Sequence, residues 1–366
     1  MFSSSPLAQL YFTRLRDFYR QPARIFWVYA FPTILAIVLG FAFQNRLPEP
    51  IAVDLIESAN SASIEQAINA HNQAVELARK SSSASSASTD LPAVLLQKSD
   101  TATATRRLNT GKTPIVIVAD SPTTWTYRFD RTRPEASSAR LILDDILQRA
   151  AGRKNPRQTH DEFVTEPGSR YIDFLIPGLI GLNTMGGGLW GVGFMLVNFR
   201  IAKLLKRFVA TPMPRRDFLF AILGARLTFL VPDLAVLLSL GVFMFQMPIR
   251  GGLIPVIIVD VVGALAFAGI GLLVASRANS TETVSGLMNA VMVPMWLCSG
   301  VFFSSERFPA LVQPLIQALP LTQLVSALRR VMLEGATLID VGPSILIMAI
   351  WAVVSFLIAL RIFRWT

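Results

Sequence analysis

The chain has 366 residues, of which 52% are apolar and only 16% charged, with a formal charge of +10. Soluble globular chains carry about 25% charged residues, so this composition excludes an ordinary soluble domain and points to a membrane protein. One cysteine, Cys298, and two histidines, His71 and His160, far apart in polar segments, leave no intrachain disulfide, no cysteine-based metal site and no histidine ligand cluster.

Residues 1–24 read as a cytoplasmic interfacial segment. From Ser5 to Gln21, Leu7, Leu10, Tyr11, Leu15 and Phe18 share one helical face, while Arg14, Arg16 and Arg20 lie elsewhere, the pattern of an amphipathic helix in the membrane interface. A cleaved secretory signal is not expected, because the first apolar run starts too late and is too long. Pro22 ends the helix and Arg24 marks the border. Residues 25–43 are the first span, close to the roughly 20 residues a hydrocarbon core requires, with Trp27 and Tyr29 suited to the interface and Pro32 implying a kink.

Residues 44–170 change character. They hold 16 basic and 15 acidic residues, a net of +1, so the positive excess sits in segments flanking the spans, and no basic stripe interleaved with aromatics suggests nucleic acid. Ile51 to Glu57 alternates like a strand, and Ser63 to Lys80 reads as a helix. Residues 81–89 are a Ser-rich linker. Leu91 to Gln97 is a second strand, Thr101 to Leu108 a short helix ended by Gly111, Pro114 to Ala119 and Thr124 to Phe129 further strands, and Glu135 to Ala150 a helix. The expectation is a small α+β domain. Gly111-Lys112-Thr113 has the tail of a phosphate-binding loop, but Arg106 stands where the leading glycine belongs and a strand follows instead of a helix. The tripeptide is a turn, and the chain does not hydrolyse ATP by itself.

Residues 171–366 carry the remaining spans: Phe174 to Val197, Phe218 to Phe245, Ile254 to Ala275, Val284 to Phe303 and Ser344 to Ile362. The first contains Gly186, Gly187, Gly188, Gly191 and Gly193, which allow either tight helix packing or the flexible wall of a path. Residues 304–342, broken by Pro309, Pro314 and Pro320, read as an outer re-entrant region. The fold expected is an α-helical polytopic membrane protein with six transmembrane helices and a small external α+β domain. Both termini are then cytoplasmic and residues 44–170 external. Thirteen basic residues on the inner side against four on the short outer loops, Arg250, Arg307, Arg329 and Arg330, agree with the positive-inside rule.

The most basic stretch is the inner loop 199–217, with Arg200, Lys203, Lys206, Arg207, Arg215 and Arg216. Lys203, Lys206 and Arg207 fall on one side of a helical turn, and Ile201, Leu204, Leu205 and Phe208 on the other. Two readings stand: an anchor on membrane lipid, or a docking helix for a cytoplasmic partner. Ionisable residues in spans are candidates for function. Arg226 and Asp233 lie two turns apart on one face and Asp260 in the next span. Either they pair for structure or, with Asn183, Gly186 and Gly187, they line a translocation path.

Several segments together resemble the membrane subunits of type-2 ATP-binding cassette exporters. Phe26-Trp27-Val28-Tyr29-Ala30-Phe31-Pro32 is similar to that family's first span, and Asp173 to Gly181 to the start of its second. Arg200 to Pro212 resembles its cytoplasmic coupling segment. Ser299-Gly300-Val301-Phe302-Phe303 with Phe308-Pro309, then Leu319-Pro320-Leu321-Thr322, Arg329 and Gly335, resemble its outer region. Many relatives carry a glycine and a glutamate where Lys203 and Lys206 stand here. The large external domain resembles the branch associated with drug, peptide or lipid-like exports. The resemblance implies a separate ATP-binding cassette subunit docked on Arg200, Lys203, Lys206, Arg207, Thr211 and Pro212, and a second copy or paralogous permease completing a dimer. It further implies a bacterial inner-membrane location and, in places, an external accessory protein. No cofactor is expected on this chain; ATP and magnesium belong to the partner subunit. The alternatives are a membrane scaffold whose external domain binds a partner, or a secondary transporter, although no internal repeat supports the latter.

Overall fold

The computed structural model describes residues 6–42, 50–58, 60–81, 92–121, 124–154, 156, 168, 170–210, 214–302 and 304–362. The chain divides into two compact units, Met1–Gln44 with Val164–Thr366, and Asn45–Phe163. In the first unit, helix α1 spans Pro6–Tyr19. Helix α2 runs over Pro22–Ala42, with a π-type turn at Phe26–Ala30 just ahead of Pro32. A proline cannot donate to the helix ladder, and the wider turn re-satisfies the backbone there.

The second unit is built on a mixed sheet of order β2-β1-β3-β4. Strand β1 is Ile51–Ile56, helix α3 Ser61–Ser81, β2 Val94–Ser99, helix α4 Thr101–Asn109, β3 Ile115–Ala119, β4 Trp125–Phe129 and helix α5 Pro134–Ala150. Every strand and helix expected in this region forms. The crossover helices α3 and α4 make β1, β2 and β3 parallel, and the short turn after β3 makes β4 antiparallel. Strand alternation sends Val53, Leu55, Ile115 and Ile117 to one face, beneath Ile64, Ile68, Leu143 and Leu147 of α3 and α5. Ile56 and Val116 pack on the other face with Ala104 of α4. Asp54 shares that second face; it is fully buried and accepts from Arg107 Nε of α4 at 2.8 Å. Asp100 caps α4, and Gly111, at φ +73, ends it, with Lys112 N donating to Arg107 O at 3.0 Å. The Gly-Lys-Thr tripeptide is therefore a helix stop. The Ser-rich stretch beyond Ser81 lies outside the described residues.

The first unit resumes with α6, which takes in Tyr171–Ile201 and a π-type turn at Leu189–Phe194. A short helix α7, Leu204–Val209, precedes α8, Arg215–Ser239, which continues through a π-type turn to Met244. Then come α9, Leu253–Ala275, α10, Thr281–Cys298, α11, Gln313–Ala318, α12, Pro320–Arg329, and α13, Gly342–Ile362. Among the described residues five helices are long and apolar enough to cross a membrane: α2, α6, α8, α9 and α13. The fifth expected span, Val284 to Phe303, corresponds to α10, which is shorter and less apolar. Its 18 residues cover about 27 Å at 1.5 Å per residue, and it stops at Cys298 instead of reaching Phe303. Helix α9 is the hub: it packs on α6, α12 and α13, and Val256, Val259, Ala266, Phe267 and Ala275 along it are fully buried. Helices α2 and α13 turn Trp27, Ile34, Val38, Leu346, Ile350, Val353 and Leu357 outward, as lipid-facing helices do.

Candidate functional site

Two places gather the residues singled out from the sequence. The first is the basic segment between α6 and α8. A single amphipathic helix was expected; instead the chain breaks at Ala202 and Lys203, and Lys203 adopts a left-handed backbone, φ +57. That conformation places α7 in a new direction after α6. It is costly for a residue with a Cβ and natural for glycine, which matches the glycine that the resembled coupling segments carry at this position. Leu205 is buried, whereas Lys203, Lys206 and Arg207 are exposed. Arg14 of α1 sits over the Phe199 ring, 5.2 Å from its centre, and burial pushes its guanidinium down to about 10. Arg200 differs from its neighbours. Its Nη1 donates to Ala275 O and Ala278 O at 2.9 and 2.5 Å, and its Nη2 to Ser276 O at 2.9 Å. Within this chain it neutralises the carbonyl end of α9, where helices leave unpaired acceptors. Thr211 and Pro212 lie outside the described residues.

The second place is a polar network buried among α6, α8 and α9. Arg226 Nη1 donates to Asp233 Oδ2 at 3.1 Å within α8, and Arg226 Nη2 to Thr184 O of α6 at 3.2 Å. The Thr184 hydroxyl donates to Asp260 Oδ1 of α9 at 2.7 Å. Arg226, Asp233 and Asp260 are 6%, 4% and 1% exposed, so in this conformation they tie three helices together within a packed interior. Gly187 makes room for the guanidinium: a Cβ there would collide with Arg226. Asn183 Nδ2 instead reaches Val28 O of α2 at 3.3 Å, and Gly186 faces open space. The sequence reading missed Thr184. Its position three residues before Gly187 in a glycine-rich span was the available signal, since a lone hydroxyl on an apolar helix needs a partner.

A third arginine, at the far end of α12 from Pro320, fixes the turn after α10. Arg329 Nη2 donates to Gly300 O at 2.6 Å and Phe174 O at 3.0 Å, and its guanidinium lies 3.4 Å over the Phe174 ring. Asp173, fully buried at the start of α6, accepts from Arg170 Nε at 2.9 Å. Among the described residues no group of His, Cys, Asp and Glu is arranged to hold a metal ion.

Comparison with known proteins agrees with this architecture. Residues 23–361 match the family described as ABC-2 family transporter protein. The chain is 28% identical over 197 residues to ABC transporter G family member 20 of Dictyostelium discoideum, covering 53% of this chain and 27% of that protein. It is 22% identical over 241 residues to the probable multidrug ABC transporter permease YbhR of Escherichia coli K12, covering 64% of this chain and 63% of that protein. It is 32% identical over 100 residues to nodulation protein J of Rhizobium meliloti, covering 27% and 38%. The alignments thus span between 27% and 63% of these relatives' lengths. From the long apolar helices and a family match that runs over nearly all of them, the chain belongs to the ABC-2 family of transporter proteins, as a multi-pass membrane permease.

Proposed function

We propose that the chain is the membrane subunit of an ATP-driven exporter, driven by a separate ATP-binding subunit that docks on the segment from Lys203 to Asp217. The observation that carries this reading is the elbow after α6. Buried Leu205 anchors α7 to the membrane unit while Lys203, Lys206 and Arg207 stand exposed beside it. Exposed cations on an anchored helix suit an acidic partner surface, steering its approach and fixing its register. ATP and magnesium then belong to that partner. A second copy or a paralogue encloses the path, α7 faces the cytoplasm of a bacterial cell together with both termini, and residues 44–170 lie outside, open to an accessory protein. A drug-like substrate accords with the name of the YbhR relative, a probable multidrug ABC transporter permease, and a peptide or lipid-like one with the large polar unit.

The test is co-purification with the ATP-binding subunit encoded beside this chain, followed by ATPase assay in lipid. The wild type is expected to form a hydrolysing complex. The triple change Lys203→Glu, Lys206→Glu, Arg207→Glu is expected to weaken it by at least about ten-fold, since like charges across an interface cost several kcal/mol, with membrane insertion unchanged. An unaltered complex with full ATPase activity would overturn the docking reading.

A further inference from the structure

Arg200 occupies the last turn of α6, four residues before the docking helix α7, and donates three hydrogen bonds to the carbonyl end of α9. Deeper in the unit the same two helices touch backbone to backbone. A Cβ on Gly193 would lie 2.5 Å from Gly271 O, and one on Gly271 would lie 2.7 Å from Gly188 O. Deeper still, Thr184 of α6 bonds Asp260 of α9 at 2.7 Å. Along their shared length, α6 and α9 are therefore joined at three levels: an ionic clamp at the α7 end, a glycine contact, and a hydroxyl–carboxylate bond.

We propose that Arg200 is a positioning residue that transmits movement of the docking helix into α9, so that α6 and α9 shift as one body when the partner closes. This rests on the docking reading above and adds to it a division of labour. Lys203, Lys206 and Arg207 hold the partner subunit, whereas Arg200 grips the end of α9 and carries the displacement inward. The chemistry fits that task. A guanidinium is planar, presents several N–H donors in a fixed fork, and stays charged. It grips three carbonyls at once, where a lysine offers a single flexible point. The left-handed backbone at Lys203, three residues on, sets the direction of α7 relative to this grip. Helix α9 in turn carries Asp260 and contacts α12 and α13, so displacement of its end reaches most of the membrane unit.

The experiment uses the complete complex in lipid nanodiscs, in a Cys298→Ser background, with an environment-sensitive fluorophore on a single cysteine at Ala210→Cys or Arg277→Cys. Each is compared without nucleotide and after trapping with ATP and vanadate. In the otherwise wild-type chain both labels should respond. With Arg200→Gln, the partner should remain bound and hydrolyse ATP, the label at 210 should still respond, and the response at 277 should fall by about five-fold, the effect of roughly 1 kcal/mol of lost coupling. Arg200→Lys should give an intermediate response at 277. If Arg200→Gln does not insert, Arg200→Lys decides, and an undiminished response at 277 overturns the proposal. Loss of the partner from Arg200→Gln would also overturn it, because Arg200 would then act in docking. A wild-type chain that binds no ATP-binding subunit would instead sink the docking reading itself, which is a separate outcome.

Discussion

Truncating Asp233 while leaving Arg226 in place measures what the buried network contributes. Both residues are nearly inaccessible, 4% and 6% exposed, with charged atoms 3.1 Å apart. Two unit charges about 4 Å apart attract by about 4 kcal/mol at an effective dielectric of about 20. Removing one member of a buried pair costs about 3–5 kcal/mol, because the survivor is left charged in an apolar interior. Asp233→Ala is therefore expected to destabilise the membrane unit by about 3–5 kcal/mol, which lowers the melting temperature by on the order of 10 °C. Arg226→Met introduced into that variant removes the stranded charge and fills the space beside Gly187 with an unbranched chain. It should recover at least about half of the loss, the remainder reflecting the unbonded Thr184 carbonyl. The assay is reversible unfolding of the purified chain in micelles, followed by circular dichroism, for wild type, both single variants and the double. A coupling of about 2 kcal/mol or more is expected. Single-variant costs that simply add, to within about 0.5 kcal/mol, would refute the claim that these charges stabilise one another.

Two further outcomes concern other buried or strained positions. In the sheet unit Asp54 is fully buried and Arg107, with which it forms an ion pair, is one-quarter exposed. Arg107→Ala should cost about 2–3 kcal/mol, the lower side of the buried-pair range, and Arg107→Lys clearly less; urea unfolding followed by tryptophan fluorescence reports it, and a loss below about 1 kcal/mol would show that Asp54 is held by something else. Lys203→Gly relieves a left-handed backbone at φ +57, so the chain should gain about 0.5–1 kcal/mol in a thermal melt; a destabilised variant would mean that the elbow does not require that geometry.

The elements most legible in the sequence were those whose pattern is local. Strand alternation at Ile51 to Ile56, the short apolar strand at Ile115 to Ala119, the helix from Glu135 to Ala150 and the long apolar runs each specify their structure within about twenty residues. The fifth span was harder, because Thr281–Cys298 mixes Asn289, Ser285 and Pro294 with its apolar residues and so reads as apolar only over part of its length. The roles of the arginines were not legible at all. Arg200 and Lys206 look alike in a basic loop, yet Arg200 is bound to carbonyls 75 to 78 residues away in the chain. Arg226 and Asp233 were placed on one face by their spacing, but Thr184, which joins Arg226 to Asp260, lies 42 residues from one and 76 from the other. Periodicity finds neighbours on a helix; it carries no information about which other helix supplies the partner.

The glycines of α6 show how that distinction resolves an ambiguity left by the sequence. Tight packing and an open wall were both compatible with five glycines in eight positions. In the structure they separate by direction. Gly187 lies against the Arg226 guanidinium, Gly188 against Phe267, and Gly193 against the Gly271 carbonyl, whereas Gly186 and Gly191 have nothing within 4 Å. Gly188 and Gly193 let α6 approach α9 closely enough for the Thr184–Asp260 bond to form, since a methyl group at either would meet α9 backbone, whereas one at Gly187 would displace the Arg226 guanidinium. The two open glycines add nothing to that contact. The helix is therefore closely fitted to α8 and α9 at Gly187, Gly188 and Gly193, and has open space beside its backbone at Gly186 and Gly191.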